Sequence, residues 1–519
     1  MINIVSNQSK SKSSLHFTEQ LDIDVLIAGA GPTGSTLAVD LLRRGLRVRI
    51  VDKSPHAFKG SRAKGVQPRT QEVFEDLGIL GEAHKEGGPY PLAGIHFGPI
   101  TVPWRMQSQN KKTPDIPYPN ILLLPQHRTD AILHRLLERQ GLNIEFDTAV
   151  EGFEQDVDGV TVTLSSGEQV RSKYLVGADG GSSTVRKVAG IRFVGETDDS
   201  DRMLIIDGTI DELSRNRWHM WPRTHGKSVG ACPLPHSNQF QVMIKLSPDE
   251  TPDLDESALA TYFHKLTGFR LYNITWKSVF RPNVRLAEHY RVGRVFLAGD
   301  AAHVHTPAGG QGLNTGVQDA YNLGWKLGQV IAGTSDSLLE SYEAERQPIA
   351  ARVLGKSSEL YSGLKKHRLS GLKRGDEERQ LGITYQGGPL APDAAATKTL
   401  HVGDRAPDAP CIGPDGARRL FDIYRGPHFT LLAFGANAAQ ALPKLTWPTA
   451  GAELCSYIVG EEGSGDVNCI NDSTGELTRI YGITSDTLIL IRPDGYIGNI
   501  ITTNWLAAFE NMTKTITPM

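Results

Sequence analysis

Three side chains able to do chemistry sit close together in RVFLAGDAAHVHTPAGGQGLNTGVQDA, residues 294–320: Asp300, His303 and His305. All are metal-ligand types, so one reading is a metal centre. The other is a large anionic ligand. The Pro- and Gly-rich loop bares its backbone and then runs into a helix, whose first N–H groups lack intrahelical acceptors. The loop adds no further strong ligand, so no metal is expected, and the two histidines read as structural, hydrogen-bonding the loop or a ligand's phosphates.

Such residues need elements to hold them. Arg294 to Leu297 is an apolar β run ending at Gly299-Asp300, and helical spacing starts at Gly312-Leu313-Asn314 and continues to about Val330. Upstream, in DIDVLIAGAGPTGSTLAVDLLRRGLRVRIVDKS, Val25 to Ala28 predicts a strand, Gly29 to Gly34 spells G-x-G-x-x-G, and Thr36 to Arg44 has helical spacing. A second strand, Arg47 to Val51, ends at Asp52, about 20 residues past the glycines. Gly29 suits the tight turn, Gly31 the approach of a pyrophosphate to the helix N-terminus, and Gly34 close helix–strand packing. Asp52 is placed to accept hydrogen bonds from an adenosine ribose.

FAD and NAD both suit that unit. In QVRSKYLVGADGGSSTVRK a strand at Tyr174 to Val176 ends in Gly177-Ala178-Asp179-Gly180, and Ser183 to Arg186 opens a helix. Asp179 and Asp300 thus both stand at carboxyl ends of strands, where ligands of open α/β sheets gather. NAD has no use for this pair. A cofactor with a polyol chain does, since each buried hydroxyl needs a partner. Asp179 also reads as a cap of the Ser182-Ser183 turn.

Composition narrows the classes. The chain has 519 residues, a net charge of -3 and 4 cysteines. That length allows several domains with separate cores, and mixed charge leaves no basic footprint for nucleic acid. No C-x-x-C occurs, which fits a reduced cytoplasmic protein. No run approaches the roughly 20 apolar residues of a membrane span. Residues 1–21 are polar and predict a disordered extension.

Together these segments, from about Asp24 to about Tyr361, resemble the single-component FAD-dependent aromatic hydroxylases, the flavoprotein monooxygenases built like p-hydroxybenzoate, phenol and polyketide hydroxylases. The resemblance implies that the G-A-D-G segment, with Asp179, serves FAD and the nicotinamide cofactor, and that Asp300 holds the ribityl chain. It implies that Pro307 faces the flavin ring, and that Gly312, Leu313 and Asn314 turn the positive end of a helix toward the pyrimidine edge. Thr306 stands where many relatives have proline. In KGSRAKGVQPRTQEVFEDLG, Arg62 matches an arginine that helps hold the pyrophosphate and senses the nicotinamide; in LLLPQHRTDAILHRLL, Gln126 and Arg128 fall near the cofactor. No second G-x-G-x-x-G occurs, so NAD(P)H is expected to visit transiently.

The expected fold is α/β. A Rossmann-like FAD-binding domain occupies 22–190 and 286–370, an antiparallel-sheet substrate domain is inserted at 191–285, and a polar linker spans 371–400. A thioredoxin-like domain follows at 401–519, with strand HFTLLAFG and hairpin TLILIRPDGYIG but no dithiol. In QFQVMIKL, Phe240, Val242, Ile244 and Leu246 share one strand face. Trp218, Met220 and Trp221 are candidate pocket residues, and His219 and His225 weak candidate bases. The W-x-W-x-I-P segment of flavin halogenases is absent. The expected function is hydroxylation of a phenolic or polycyclic aromatic by dioxygen and NAD(P)H, through a flavin hydroperoxide, in a monomer or homodimer. Alternatives are Baeyer–Villiger oxidation, epoxidation or antibiotic inactivation on the same fold, or a flavin-binding protein without oxygenase activity.

Overall fold

Strand Ile23–Ala28 is apolar from Val25 onward and sits between two parallel neighbours, Gln169–Gly177 and Val48–Val51. Val295–Leu297 adds a further parallel strand beyond Gln169–Gly177. Burial on both faces explains why Val25 to Ala28 and Val295–Leu297 read as continuous apolar runs rather than alternating ones. The structure is a computed structural model that describes residues 23–98, 100–197, 201–306, 309–365, 375–392, 395–413, 416–460 and 469–518. The predicted extension at 1–21 and Pro307 lie outside the described residues.

Helix Pro32–Leu42 begins inside the glycine motif, because proline at the first helical position forgoes an N–H that has no intrahelical acceptor. It packs along helix Gly312–Ile331, and a Cβ at Gly324 would stand 2.1 Å from Asp40 Oδ2, so the helices close to backbone distance there.

The second sheet has seven strands in the order Tyr272–Phe280, Met203–Thr209, Gln239–Lys245, Lys227–Pro233, Arg217–Thr224, Leu92–Phe97, Ile100–Trp104. The pairs are antiparallel except Arg217–Thr224 with Leu92–Phe97, which run parallel. Two strands therefore come from outside 191–285. LAGIHF and ITVPW hide their strand character by exposing Phe97 and Ile100 at the sheet edge. Phe240, Val242, Ile244 and Leu246 pack under helix Glu256–Thr267, while Gln241 and Met243 on the opposite face line a cavity.

The C-terminal sheet centres on Phe429–Phe434, paired parallel with Leu454–Gly460 and antiparallel with Thr487–Ile491. It shares a core with the rest of the chain, since Trp325 and Leu338 cluster with Phe429, Leu431 and Leu490. Arg492 reaches across to Glu345 at 2.7 Å, and Lys326 meets the same carboxylate at 2.8 Å, all three buried. The stretch read as a linker is, in its described part, packed rather than free. Gln380 is buried, accepts from Gln318 Nε2 at 2.6 Å and donates to Gln311 Oε1 at 2.7 Å. Its polar composition serves hydrogen bonds to the helix start, which composition alone reads as solvation.

Burial pushes the Cys232 thiol up to about 11 and the Cys411 thiol up to about 12. Thiols held protonated and covered are poor nucleophiles. Iodoacetamide near neutral pH is expected to leave turnover unchanged. A large loss of flavin reduction after alkylation would reveal a reactive thiol at work.

Candidate active site

The carboxyl ends of the first sheet and the open face of the second enclose a cavity of about 1080 Å³. One half is built from backbone and charge. Helix Pro32–Leu42 has no side-chain cap and no acid in its first turn, and nothing lies within 4 Å of a Cβ placed on Gly31. Its N–H groups and positive dipole end therefore face open space. The neighbouring glycines are instead pressed against backbone. A Cβ on Gly29, at φ +106°, would lie 2.3 Å from the Ala178 carbonyl oxygen, and one on Gly34 would lie 1.9 Å from that of Gly29.

Asp52 stands at the end of its strand and accepts from Ala30 N–H at 2.7 Å and Ser54 N–H at 2.8 Å, fixing the glycine turn. Asp179 Oδ2 accepts from the N–H groups of Thr184 at 2.7 Å and Val185 at 3.2 Å. It caps helix Thr184–Val188 and so lays Gly180 on the cavity wall. Asp300 stands in the cavity and accepts no hydrogen bond from a described residue. Its carboxylate is reachable from the cavity yet surrounded by protein, and that enclosure raises its pKa, with Arg62 and His303 pulling the other way. Gly312 and Leu313 bring the N-terminus of helix Gly312–Ile331 to the same space. Asn314 does not line the cavity. Buried, it accepts from Gln67 N–H at 2.8 Å and donates to the carbonyls of Gly65 and Gly310, tying two loops together.

Arg62 and Gln126 line the cavity, and Arg62 also borders a smaller pocket of about 270 Å³ beside Trp276 and Phe280. Arg128 turns away, contrary to the expectation that it contacts the cofactor. Its guanidinium donates to the Glu86 carbonyl at 2.6 Å, because the helix opening at Gln126 aims residue 128 at that neighbouring loop. His219 and His225 also miss the cavity. His219 Nε2 donates to Ser214 O at 2.8 Å and its ring pairs with His96, while His225 occupies a left-handed turn position, φ 46°. Trp218 and Met220 line the cavity, whereas Trp221 belongs to the core beside Phe263.

Asp319 is an addition that the motifs did not point to. Its Oδ2 accepts from His303 Nε2 at 2.6 Å, and its Oδ1 from Arg346 Nε at 2.8 Å, all fully buried. Burial raises the carboxyl, but His303 and Arg346 outweigh it and hold its pKa below the ordinary value. His303 Nδ1 lies 2.9 Å from His305 Nε2, so the chain reaches the cavity at His305, whose Nδ1 is buried with no partner among the described residues. Burial and then His303 hold the His305 pKa well below the usual imidazole range, so its ring is neutral. Among the described residues no group of three or more His, Cys, Asp or Glu is arranged to hold a metal ion, and no helix is long and apolar enough to cross a membrane.

The FAD binding domain family matches residues 22–357, and the HcaD C-terminal domain family matches residues 410–514. The chain belongs to the FAD-dependent aromatic hydroxylases. This hydroxylase is similar to a flavin-dependent monooxygenase of Mycobacteroides abscessus, 43% identical over 508 residues that cover 95% of this chain and 100% of that one. It is similar to the 12-dehydrotetracycline 5-monooxygenase/anhydrotetracycline 6-monooxygenase of Streptomyces rimosus subsp. rimosus, 35% identical over 520 residues, 95% of this chain and 97% of that one. Among solved structures it is similar to aklavinone-11 hydroxylase in a ternary complex with FAD and aklavinone. The identity is 25% and the TM-score 0.79, with 96% of this chain and 99% of that chain covered.

The residues of the hydroxylase fit FAD. An uncapped helix end with open space suits a pyrophosphate, and a carboxylate with unused acceptors suits ribityl hydroxyls. The wall carries Arg62, Lys64, Arg186, Lys187, Arg281 and Arg285 against one carboxylate among the described residues, that of Asp300, so the cavity favours anions.

Proposed function

We propose that the protein uses NAD(P)H and dioxygen to hydroxylate a phenolic, polycyclic aromatic substrate in this cavity. The observation that carries the reading is the division of one cavity into two halves. Gly31, Thr33 and Asp300 line a polar half, while Met220, Met243 and Trp218 on the second sheet, with Met106 just past its last strand, line an apolar one. A flat apolar guest beside a polyanionic cofactor matches those walls. The Streptomyces relative is named for 12-dehydrotetracycline and anhydrotetracycline and the solved neighbour holds aklavinone, which supports the size of the guest.

In this reading the first sheet is a Rossmann-like unit, the second sheet the substrate roof, and the C-terminal unit a thioredoxin-like domain with a packing role. The helix end after Gly31 binds the pyrophosphate and a free lone pair of Asp52 the ribose. Asp300 accepts from the ribityl chain, and Gln126 closes the polar wall. Gly312 and Leu313 would turn N–H groups and a positive helix end toward the bound cofactor, where they would favour negative charge. Asp179 and Asn314 act as positioning residues, each holding a cavity-lining loop by backbone bonds. When bound there, FAD supplies electron transfer from NAD(P)H to dioxygen. The protein excludes bulk water and sets the order of events.

Order matters because electrons passed to dioxygen without a substrate produce hydrogen peroxide. Arg62, exposed between two pockets, is placed to register the arrival of NAD(P)H. A productive phenolic substrate is expected to speed anaerobic flavin reduction at least ~10-fold, about 1.4 kcal/mol of barrier. Arg62→Ala should weaken that stimulation more than it weakens FAD binding. Rapid mixing with and without substrate reads both, and equal rates would contradict substrate control.

A further inference from the structure

Lys64 is buried, with 8% of its surface exposed, on the wall of the apolar half. Its Nζ stands 4.5 Å from the centroid of the Trp218 ring. Among the described residues no carboxylate forms an ion pair with it, and its one acceptor is Gln241 Oε1. A buried cation without a counter-ion is costly, so its presence on a cavity wall calls for explanation.

The hydrogen bonds behind it run in one direction. Ser61 N–H donates to Asp207 at 2.7 Å and Ser61 Oγ donates to the other carboxylate oxygen at 2.5 Å. With its proton committed, Ser61 Oγ accepts from Gln241 Nε2 at 2.6 Å, and the same amide nitrogen donates to Arg62 O at 3.1 Å. Both amide donors are then spent, and the Gln241 carbonyl must face Lys64. Strand register makes this possible by setting Asp207, Gln241 and Cys232 side by side across three strands. The charged or titratable groups packed against Lys64 are thus Asp207, reached only through this chain, and the Cys232 thiol, which is held neutral. Gln241 takes one N–H of Lys64, which leaves its others for a guest.

We propose that Lys64 binds the ionised hydroxyl of a phenolic or enolic substrate and thereby selects hydroxylated aromatics over their ethers. This assignment rests on the aromatic-hydroxylase reading of the cavity. The oxyanion supplies the charge partner that the protein withholds. If the amine is neutral when the guest arrives, the phenol O–H bond breaks, its proton passes to Nζ, and the same ammonium–phenolate pair results. A phenolate donates electron density to its ortho and para carbons, where oxygen transfer needs it. Burial lowers the ammonium's affinity for its proton, with Cys232 and Asp207 opposing, which suits a group that exchanges a proton with a phenol.

The test titrates the FAD-bound full chain with 1,8-dihydroxyanthraquinone, whose ionised form absorbs to the red of oxidised flavin, and with its dimethyl ether. Wild type is expected to bind the diphenol with the ionised band present about one pH unit or more below its appearance in free solution, a tenfold shift. Lys64→Met should weaken diphenol binding at least tenfold and abolish that band, Lys64→Arg should keep both, and the ether should bind wild type and Lys64→Met alike. Removing an uncompensated buried charge is tolerated by folds, and FAD content with a melting curve verifies each variant. Equal diphenol affinity and equal ionisation in wild type and Lys64→Met would overturn the role of Lys64 while leaving the aromatic pocket intact. Failure of wild type to bind either compound would overturn the aromatic reading, and this assignment with it.

Discussion

Asp300→Ala is expected to give a folded protein that purifies with little FAD. The side chain stands in the cavity with no hydrogen bond from a described residue, so its removal breaks nothing inside the protein. What it removes is a set of acceptors for the ligand. Each hydroxyl stranded without a partner costs about 1–3 kcal/mol, and two such losses weaken affinity by at least about thirtyfold. Asp300→Asn keeps the shape and one acceptor and should fall between Ala and wild type. Flavin content after purification, with FAD titrated back into the apoprotein, measures the effect. Full occupancy and normal affinity in Asp300→Ala would remove Asp300 from the cofactor site.

Asp319→Asn should act on stability instead. The carboxylate holds Arg346 and His303 in a site with no exposure, and the amide leaves the Arg346 guanidinium buried without its counter-charge. Breaking one partner of such a pair costs about 3–5 kcal/mol. Because the folded pKa of Asp319 is depressed, its contribution is complete above the unfolded carboxylate value and is lost as pH falls through the folded one. Near neutral pH the mutation therefore removes the whole effect. Denaturant titration of the FAD-bound protein at pH 7 reads it, and an unchanged midpoint would show that the chain from Asp319 to His305 does not support the fold.

What could be read from the sequence follows from distance along the chain. Gly29, Gly31, Gly34 and Asp52 lie within one strand–helix–strand unit, where local spacing determines geometry, and their structural settings match that local logic. Asp300 was legible because a strand end places it. Asn314 was found near the site but in a different role, since the loops it joins, at Gly65 and Gly310, come from distant segments. Arg128 was misplaced because the direction of a long side chain depends on a carbonyl, Glu86, that no motif signals. Lys64, Ser61, Asp207 and Gln241 stayed hidden for the same reason. Only strand register joins residues so far apart. Asp319 left one usable signal, the single acid of helix Gly312–Ile331, two turns past the cavity.

The central claim is that this cavity transfers oxygen from dioxygen to a hydroxylated aromatic. It is tested most directly by supplying isotopically heavy dioxygen and NADPH to the FAD-bound protein with a panel of polycyclic phenols, and by reading product mass beside hydrogen peroxide. The expected result is at least one phenol whose product carries a single heavy oxygen, with NADPH consumed in step with product. NADPH oxidation that yields only hydrogen peroxide, with no label in any aromatic across the panel, would contradict it.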